Sequence, residues 1–235
     1  MSRTKDFIIG GLIMKTLLYA TVFLFLCFSQ AQAQSPQHHS DGAERKSNGD
    51  TERLYWQLPR KVIMELGVRE GMVVADVGAG DGYFTIPISK KVGEKGTVYA
   101  SDIDRDALNR CAERCKTEGI SNVHVIVGTE DDPSLPEKSC DLILIVNTVH
   151  LLRNQGVFFK NLVKGLSDNG RIAIVQWAAE KMEGEVPLWD PKDRELYSMK
   201  TILRMIYSSG LEVVDIMDFL PVQNIFICIP KEKPE

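Results

Sequence analysis

The sequence predicts an α/β protein built on a doubly wound, seven-stranded sheet, mostly parallel, with one antiparallel strand near the C-terminus. Three observations predict it. Short apolar runs, "MVVADV" (72–77) foremost, have the continuous hydrophobicity of strands buried on both faces. These runs alternate with helix-length segments, the pattern of parallel crossover units. The last two apolar runs are joined by too short a link for a crossover, so they must pair antiparallel.

In chain order, residues 53–66 read as a helix with Leu54, Val62, Ile63 and Leu66 on one side, and "REG" (69–71) turns into the first strand, 72–77. A helix follows over 83–92, with Pro87 in its early part, then the second strand, "TVYASD" (97–102). The segment 105–119 is a helix ended by Gly119. "NVHVIVG" (122–128) is the third strand and "CDLILIVNTV" (140–149) the fourth. A helix over 150–166 and the turn "SDNG" lead into the fifth, "RIAIVQW" (171–177). A helix near 199–209 stops at Gly210, and "LEVVDIMDFL" (211–220) and "NIFICIP" (224–230) complete the sheet around a loop at Pro221. The connection 178–198 is longer than most loops. It reads either as an acceptor-facing lid or as a surface loop with its own cluster of Met182, Val186, Leu188, Trp189 and Tyr197.

The bulk numbers agree with one domain. The chain has 235 residues, 44% hydrophobic and 26% charged, with a net charge of -4. That balance gives no pull toward nucleic acid or an anionic membrane, and no Lys/Arg stripe with interleaved aromatics appears. The N-terminus has the three parts of a secretory leader: Lys15 after Met14, the apolar run Leu17 to Phe28, and Ala31-Gln32-Ala33 as cleavage site. Residues 1–33 are therefore expected to be a signal peptide, or a membrane anchor if Phe7 to Phe28 acts as one apolar stretch, and the domain is expected to be exported, periplasmic or secreted. No stable membrane partner is expected once the leader is cleaved. Residues 34–52 lack apolar periodicity and read as a disordered tether, leaving 53–235 as the folded domain. Cys111, Cys115, Cys140 and Cys228 show no metal-ligand spacing, so no metal is predicted and the thiols read as small hydrophobes.

The chemistry concentrates in "ADVGAGDGYF" (75–84), a glycine turn at the carboxyl end of the first strand, where doubly wound sheets bind ligands. A dinucleotide fingerprint needs G-x-G-x-x-G, but Gly78, Gly80 and Gly82 give G-x-G-x-G, and Tyr83 stands where the last glycine belongs. Asp76 and Asp81 flank the turn, and carboxylates there oppose a pyrophosphate. They suit a ligand with positive charge and no phosphate, such as S-adenosylmethionine. An acid ending the second strand is required for the ribose hydroxyls, and Asp102 supplies it, with Asp104 as alternative. Asp102 also reads as a helix N-cap, a role compatible with the first.

The set Asp76, Gly78, Gly80, Gly82, the acid closing strand two, and "LP..S.D" (Leu135, Pro136, Ser139, Asp141) resembles the class I S-adenosylmethionine-dependent methyltransferases. The resemblance covers roughly 53–230 and implies a Rossmann-like fold. It implies that the three glycines admit the methionine part of the cofactor, that Asp76 orients its amino group, and that Asp102 holds the ribose. It places the loop after strand three, with Thr129, Glu130 and Asp131, beside the adenine. The family's usual Gly-Asp is replaced here by Gly128-Thr129, so either Glu130 or Asp131 meets the adenine amino group.

Asn147 and His150 lie at the end of strand four, where a methyl acceptor would sit, and are the catalytic candidates. His150 reads as a general base near neutral pH, or as a residue capping or packing on the next helix. The expected function is methyl transfer from S-adenosylmethionine to a small-molecule acceptor, with no nucleic acid partner expected. The alternatives are a silent S-adenosylmethionine or S-adenosylhomocysteine binder and an NAD-dependent oxidoreductase.

Overall fold

The structure, a computed structural model, describes residues 53–182 and 197–231. The predicted leader and tether, residues 183–196 of the long connection and the end of the domain at 232–235 lie outside the described residues. The elements are α1 (Pro59–Glu65), β1 (Val73–Val77), α2 (Thr85–Val92), β2 (Thr97–Asp102), α3 (Arg105–Thr117) and β3 (Val123–Val127). They continue with β4 (Cys140–Val146), α4 (Gln155–Lys164), β5 (Leu166–Trp177), α5 (Met199–Ser208), β6 (Leu211–Met217) and β7 (Gln223–Pro230).

The predicted sheet is present. Its order is β3-β2-β1-β4-β5-β7-β6, with β7 antiparallel to both its neighbours and the other pairs parallel. The order reverses between β1 and β4, which makes the carboxyl ends of those strands the topological switch point. Strand β4 shows why its sequence is apolar without alternation. Leu142 and Leu144 face a core shared with Val62, Ile63 and Ile88, while Ile143 and Ile145 face one shared with Phe159, Leu162 and Ile206. Successive side chains point to opposite faces, and both faces are covered. Asp141, part of the family motif, is structural here: its Oδ2 accepts the Val73 N–H at 2.9 Å and pins the start of β1 to β4. The four cysteines of the domain are free and buried.

Three expectations about elements need correction. The single helix over 53–66 is broken. Residues 53–56 are helical, but Leu58 takes φ 44, and α1 restarts at Pro59. A proline disfavours helical backbone in the residue before it, which ends the first turn there. Leu54 is consequently 52% exposed rather than part of the core. The second correction is at "SDNG", which lies within β5 as an irregularity: Cys140 pairs with Leu166, and the next partners are Leu142 and Arg171. The third is at strand four, which ends at Val146. Beyond it a short 3-10 turn spans Val149–Leu151 before α4 begins at Gln155.

Lys181 fastens the start of the long connection to the β6–β7 loop. Its Nζ donates to the carbonyls of Asp218, Leu220 and Gln223, and burial holds its pKa below the usual lysine range.

Candidate functional site

At the switch point a cavity of about 320 Å³ opens between the carboxyl ends of β1, β2 and β4, within the range of small-molecule sites. Five predicted residues line it: Gly78, Asp102, Thr129, Glu130 and Asn147. Asp76, Gly80, Gly82, Asp131 and His150 stand outside its lining.

The glycine turn is held by backbone bonds to the next strand. Gly78 N–H donates to the Ser101 carbonyl at 2.8 Å, and Ala79 N–H to the same oxygen at 3.1 Å. All three glycines have positive φ, yet they serve different neighbours. A Cβ on Gly78 would lie 2.2 Å from Thr148 Oγ1, and one on Gly82 2.6 Å from Cys111 Sγ, whereas one on Gly80 would meet nothing within 4 Å. Gly78 and Gly82 are thus required by packing, and Gly80 leaves space beside the turn. Gly80→Val is expected to lower the melting temperature by a few degrees, because φ near +55° strains an L-residue, and to weaken S-adenosylmethionine binding about tenfold or more, because the added side chain fills the space beside the turn. Calorimetric titration beside a thermal melt measures both. A large loss of stability with unchanged affinity would show that this glycine serves the fold and not the ligand.

The two acids closing β2 have separate jobs. Asp104 caps α3, accepting from the Asp106 and Ala107 N–H groups. Asp102 is therefore not the cap. Its Oδ2 accepts the Gly80 N–H at 2.8 Å and its Oδ1 the Asp104 N–H at 2.9 Å. An ionised carboxylate has about four lone-pair sites, so Asp102 keeps capacity toward the cavity while it holds the turn.

Asp76 is 2% exposed and lies behind the turn. Its Oδ2 accepts the Thr85 hydroxyl at 2.7 Å. Burial, reinforced by the nearby charge of Asp102, pushes its pKa from 3.8 up to about 6, against the opposing Thr85 hydrogen bond and Arg53. Asp81 is turned away as well, pairing with Arg114 of α3 at 3.2 Å.

After β3, Thr129 and Asp132 bond to each other and close a tight turn. Glu130 lines the cavity, and Asp131 does not. The Asp131 carbonyl instead accepts from Asn161 of α4 at 2.9 Å. Glu130 stands 3.9 Å from Arg153 across the mouth, with both side chains largely exposed, a pair worth little in solvent. Ile103 and Leu151, 61% and 70% exposed, supply apolar rim.

On the β4 side Asn147 holds φ 52, a left-handed conformation that asparagine tolerates better than most residues. Its backbone N–H donates to the Val175 carbonyl at 2.9 Å, and its Oδ1 accepts from Gln223 Nε2 at 2.8 Å. His150 packs edge-on against Tyr197, and its Nδ1 is 3.2 Å from Gln176 Nε2. Burial lowers its pKa, with the Gln176 bond acting in the opposite sense.

Residues outside the cavity lining, most of them not singled out by sequence pattern, support the candidate residues through Gln223 on Asn147 and Gln176 beside His150. Trp56 stacks on Trp177 with ring centroids 4.7 Å apart, and Arg53 lies 3.8 Å over the Tyr83 ring. Gln176, Gln223 and Asn224 are buried polar residues at the ends of apolar strands. That position, a polar residue ending an apolar run at the ligand-binding edge of the sheet, was the available signal.

Comparison with known proteins agrees with this geometry. The methyltransferase domain family matches residues 68–209. A curated relative, the ubiquinone/menaquinone biosynthesis C-methyltransferase UbiE of Vibrio vulnificus strain YJ016, is 27% identical over 142 residues, 59% of this chain and 52% of the relative. The chain thus spans about half the length of the curated relatives it matches. Among solved structures, a SAM-dependent methyltransferase from Aquifex aeolicus is 29% identical with a TM-score of 0.69, covering 80% of this chain and 98% of that one. An Aeropyrum pernix fibrillarin with natively bound S-adenosyl-L-methionine shares the fold, with 17% identity, a TM-score of 0.52, and coverage of 69% of this chain and 68% of that one. Neither the silent-binder nor the NAD-dependent reading finds support among these proteins. The family match over 68–209, more than half of the chain, shows that the chain belongs to the methyltransferase domain family.

Proposed function

We propose that the chain transfers the methyl group of S-adenosylmethionine to a small-molecule acceptor admitted on the Asn147 side of the cavity. One observation carries the reading: a single cavity is walled by Gly78 and Asp102 on one side and by Asn147 on the other. In this reading Asp102 takes the ribose hydroxyls, Glu130 rather than Asp131 faces the adenine amino group, and Asn147 borders the acceptor. The cofactor supplies an activated methyl on a sulfonium, so the protein's work is alignment and exclusion of water. The acceptor contributes the electron pair of the new bond to carbon and loses one proton, while the pair of the broken carbon–sulfur bond stays on sulfur. The Vibrio relative is named for C-methylation in ubiquinone and menaquinone biosynthesis, which makes quinol-type rings the first acceptors to assay.

His150 serves this reaction from behind. It reaches Gln176 and Tyr197 and does not line the cavity. His150→Ala is therefore expected to leave cofactor affinity unchanged and to lower turnover about tenfold or less, below the roughly 100-fold or greater loss of a general base. A larger fall, with a pH profile that loses its acidic limb, would restore His150 as the base.

Titration of the purified chain with S-adenosylmethionine, S-adenosylhomocysteine and NAD, followed by detection of S-adenosylhomocysteine released in the presence of acceptors, tests the function. Binding of the first two ligands and not of NAD is expected. Binding of NAD alone would end the reading.

A further inference from the structure

Buried amides gather at the end of β5 and the start of β7. Gln57, Gln176 and Gln223 are fully buried and Asn224 is 4% exposed. Each keeps a hydrogen-bonding atom without a partner among the described residues: Gln57 Nε2, Gln176 Oε1, Gln223 Oε1 and Asn224 Oδ1. The sheet register pairs Gln176 with Asn224 and Trp177 with Gln223. Gln57 follows Trp56, whose ring lies on Trp177. A buried amide with an idle atom is unfavourable unless something else satisfies it.

Gln223 is the member with a defined task. Its Nε2 donates to Asn147 Oδ1 at 2.8 Å. With its oxygen engaged, Asn147 has only Nδ2 left to offer, and Nδ2 makes no hydrogen bond among the described residues, at a position that borders the cavity. The cations of these elements are committed elsewhere. Arg53 Nε donates to Gln57 Oε1 at 3.0 Å and its guanidinium covers Tyr83, and Lys181 donates to backbone carbonyls. Arg153, the cation that does line the cavity, stands 3.9 Å from the Glu130 carboxylate, so what the Asn147 side offers a ligand is neutral hydrogen bonding.

We infer that Gln223 is a positioning residue for the methyl acceptor, turning the Asn147 amide so that its NH₂ meets an oxygen of an uncharged, flat acceptor of the phenol or quinol class. The inference rests on the methyl-transfer reading and adds the acceptor's chemistry and the residue that orients it. A carboxylate or phosphate acceptor would bring a charge that these amides do not balance. A flat ring instead finds apolar lining, Val146, Leu152 and Phe158, in the same cavity as Asn147.

The test uses the full chain saturated with S-adenosylhomocysteine. Binding of catechol and hydroquinone is measured calorimetrically against benzoate and phenyl phosphate, in wild type, Gln223→Met and Gln223→Glu. Wild type should bind the uncharged rings in preference to the charged ones. Both variants should weaken that binding about tenfold while the S-adenosylhomocysteine Kd stays within about twofold. Gln223→Glu should be the worse, because a carboxylate only accepts and would draw the Asn147 NH₂ away from the cavity. If the Gln223 variants do not fold, Asn147→Asp carries the test: it keeps an acceptor for Gln223 Nε2, lacks the NH₂, and should lose the uncharged rings. Variants that bind the rings as wild type does would overturn the inference. So would a parallel loss of S-adenosylhomocysteine affinity, a preference for the charged rings, or failure of both uncharged rings to bind. A wild-type chain that does not bind S-adenosylhomocysteine overturns the methyl-transfer reading itself.

Discussion

Asp102→Ala is expected to weaken S-adenosylmethionine binding by about 30- to 1,000-fold, the equivalent of roughly 2–4 kcal/mol for lost charge-assisted hydrogen bonds. Two losses combine. The proposed bonds to the ribose hydroxyls disappear, and so does the bond from the Gly80 N–H at 2.8 Å that ties the glycine turn to β2. The fold should persist, since β2 is held by parallel pairing to both β1 and β3 along its length. Asp104→Ala is the contrast. It removes the cap of α3 and should cost about 1 kcal/mol of stability with cofactor affinity unchanged. Titration calorimetry at fixed ionic strength, with a thermal melt of each variant, reads both quantities. Exchanged phenotypes, affinity lost in Asp104→Ala and kept in Asp102→Ala, would show that the ribose is held by the other acid.

The contrast between these two acids marks how far the sequence could be read. A D-x-D spacing before a helix offers two caps. Only the residue immediately before Arg105 is placed to accept from Asp106 and Ala107, so the start of α3 separates the roles. The strands and the one reversed pairing, though not the strand order, were legible for a similar local reason: runs such as "CDLILIV" (140–146) must be covered on both faces, and the last two runs have too short a link for a crossover. Long-range contacts were not legible. Gln223 reaches Asn147 across 76 positions, and Asp141 reaches Val73 across 68. No periodicity encodes either bond. The glycines were legible as a group and not individually, because G-x-G-x-G does not record that Thr148 crowds Gly78 and Cys111 crowds Gly82. Asp76 and Asp81 were read as charges facing the ligand, and the structure turns one to Thr85 and the other to Arg114.

Asp76 carries the second large effect, visible as a pH dependence. Its pKa is raised from 3.8 to about 6, chiefly by burial, a difference equivalent to about 3 kcal/mol. The sign follows from proton binding. Between those two values the folded chain holds the proton and the unfolded chain does not, so stability falls as pH rises through the window and levels off above about 6. The ionised, buried carboxylate is thus a standing penalty at neutral pH. If Asp76 serves the cofactor's amino group, as the family resemblance implies, a bound cation relieves that penalty and favours ionisation. The rise in melting temperature caused by S-adenosylmethionine should then be larger at pH 7.5 than at pH 5, values taken on either side of about 6. Asp76→Asn removes the titration while keeping the shape. The apo variant should lose the downward slope of stability between pH 4 and 6, and its S-adenosylmethionine-induced shift should become nearly independent of pH. Melting curves of both proteins across that range, with and without S-adenosylmethionine, decide the point. Parallel apo profiles would mean that Asp76 is not the titrating group. A ligand-induced shift with the same pH dependence in wild type and variant would mean that its charge serves the turn and Thr85 alone.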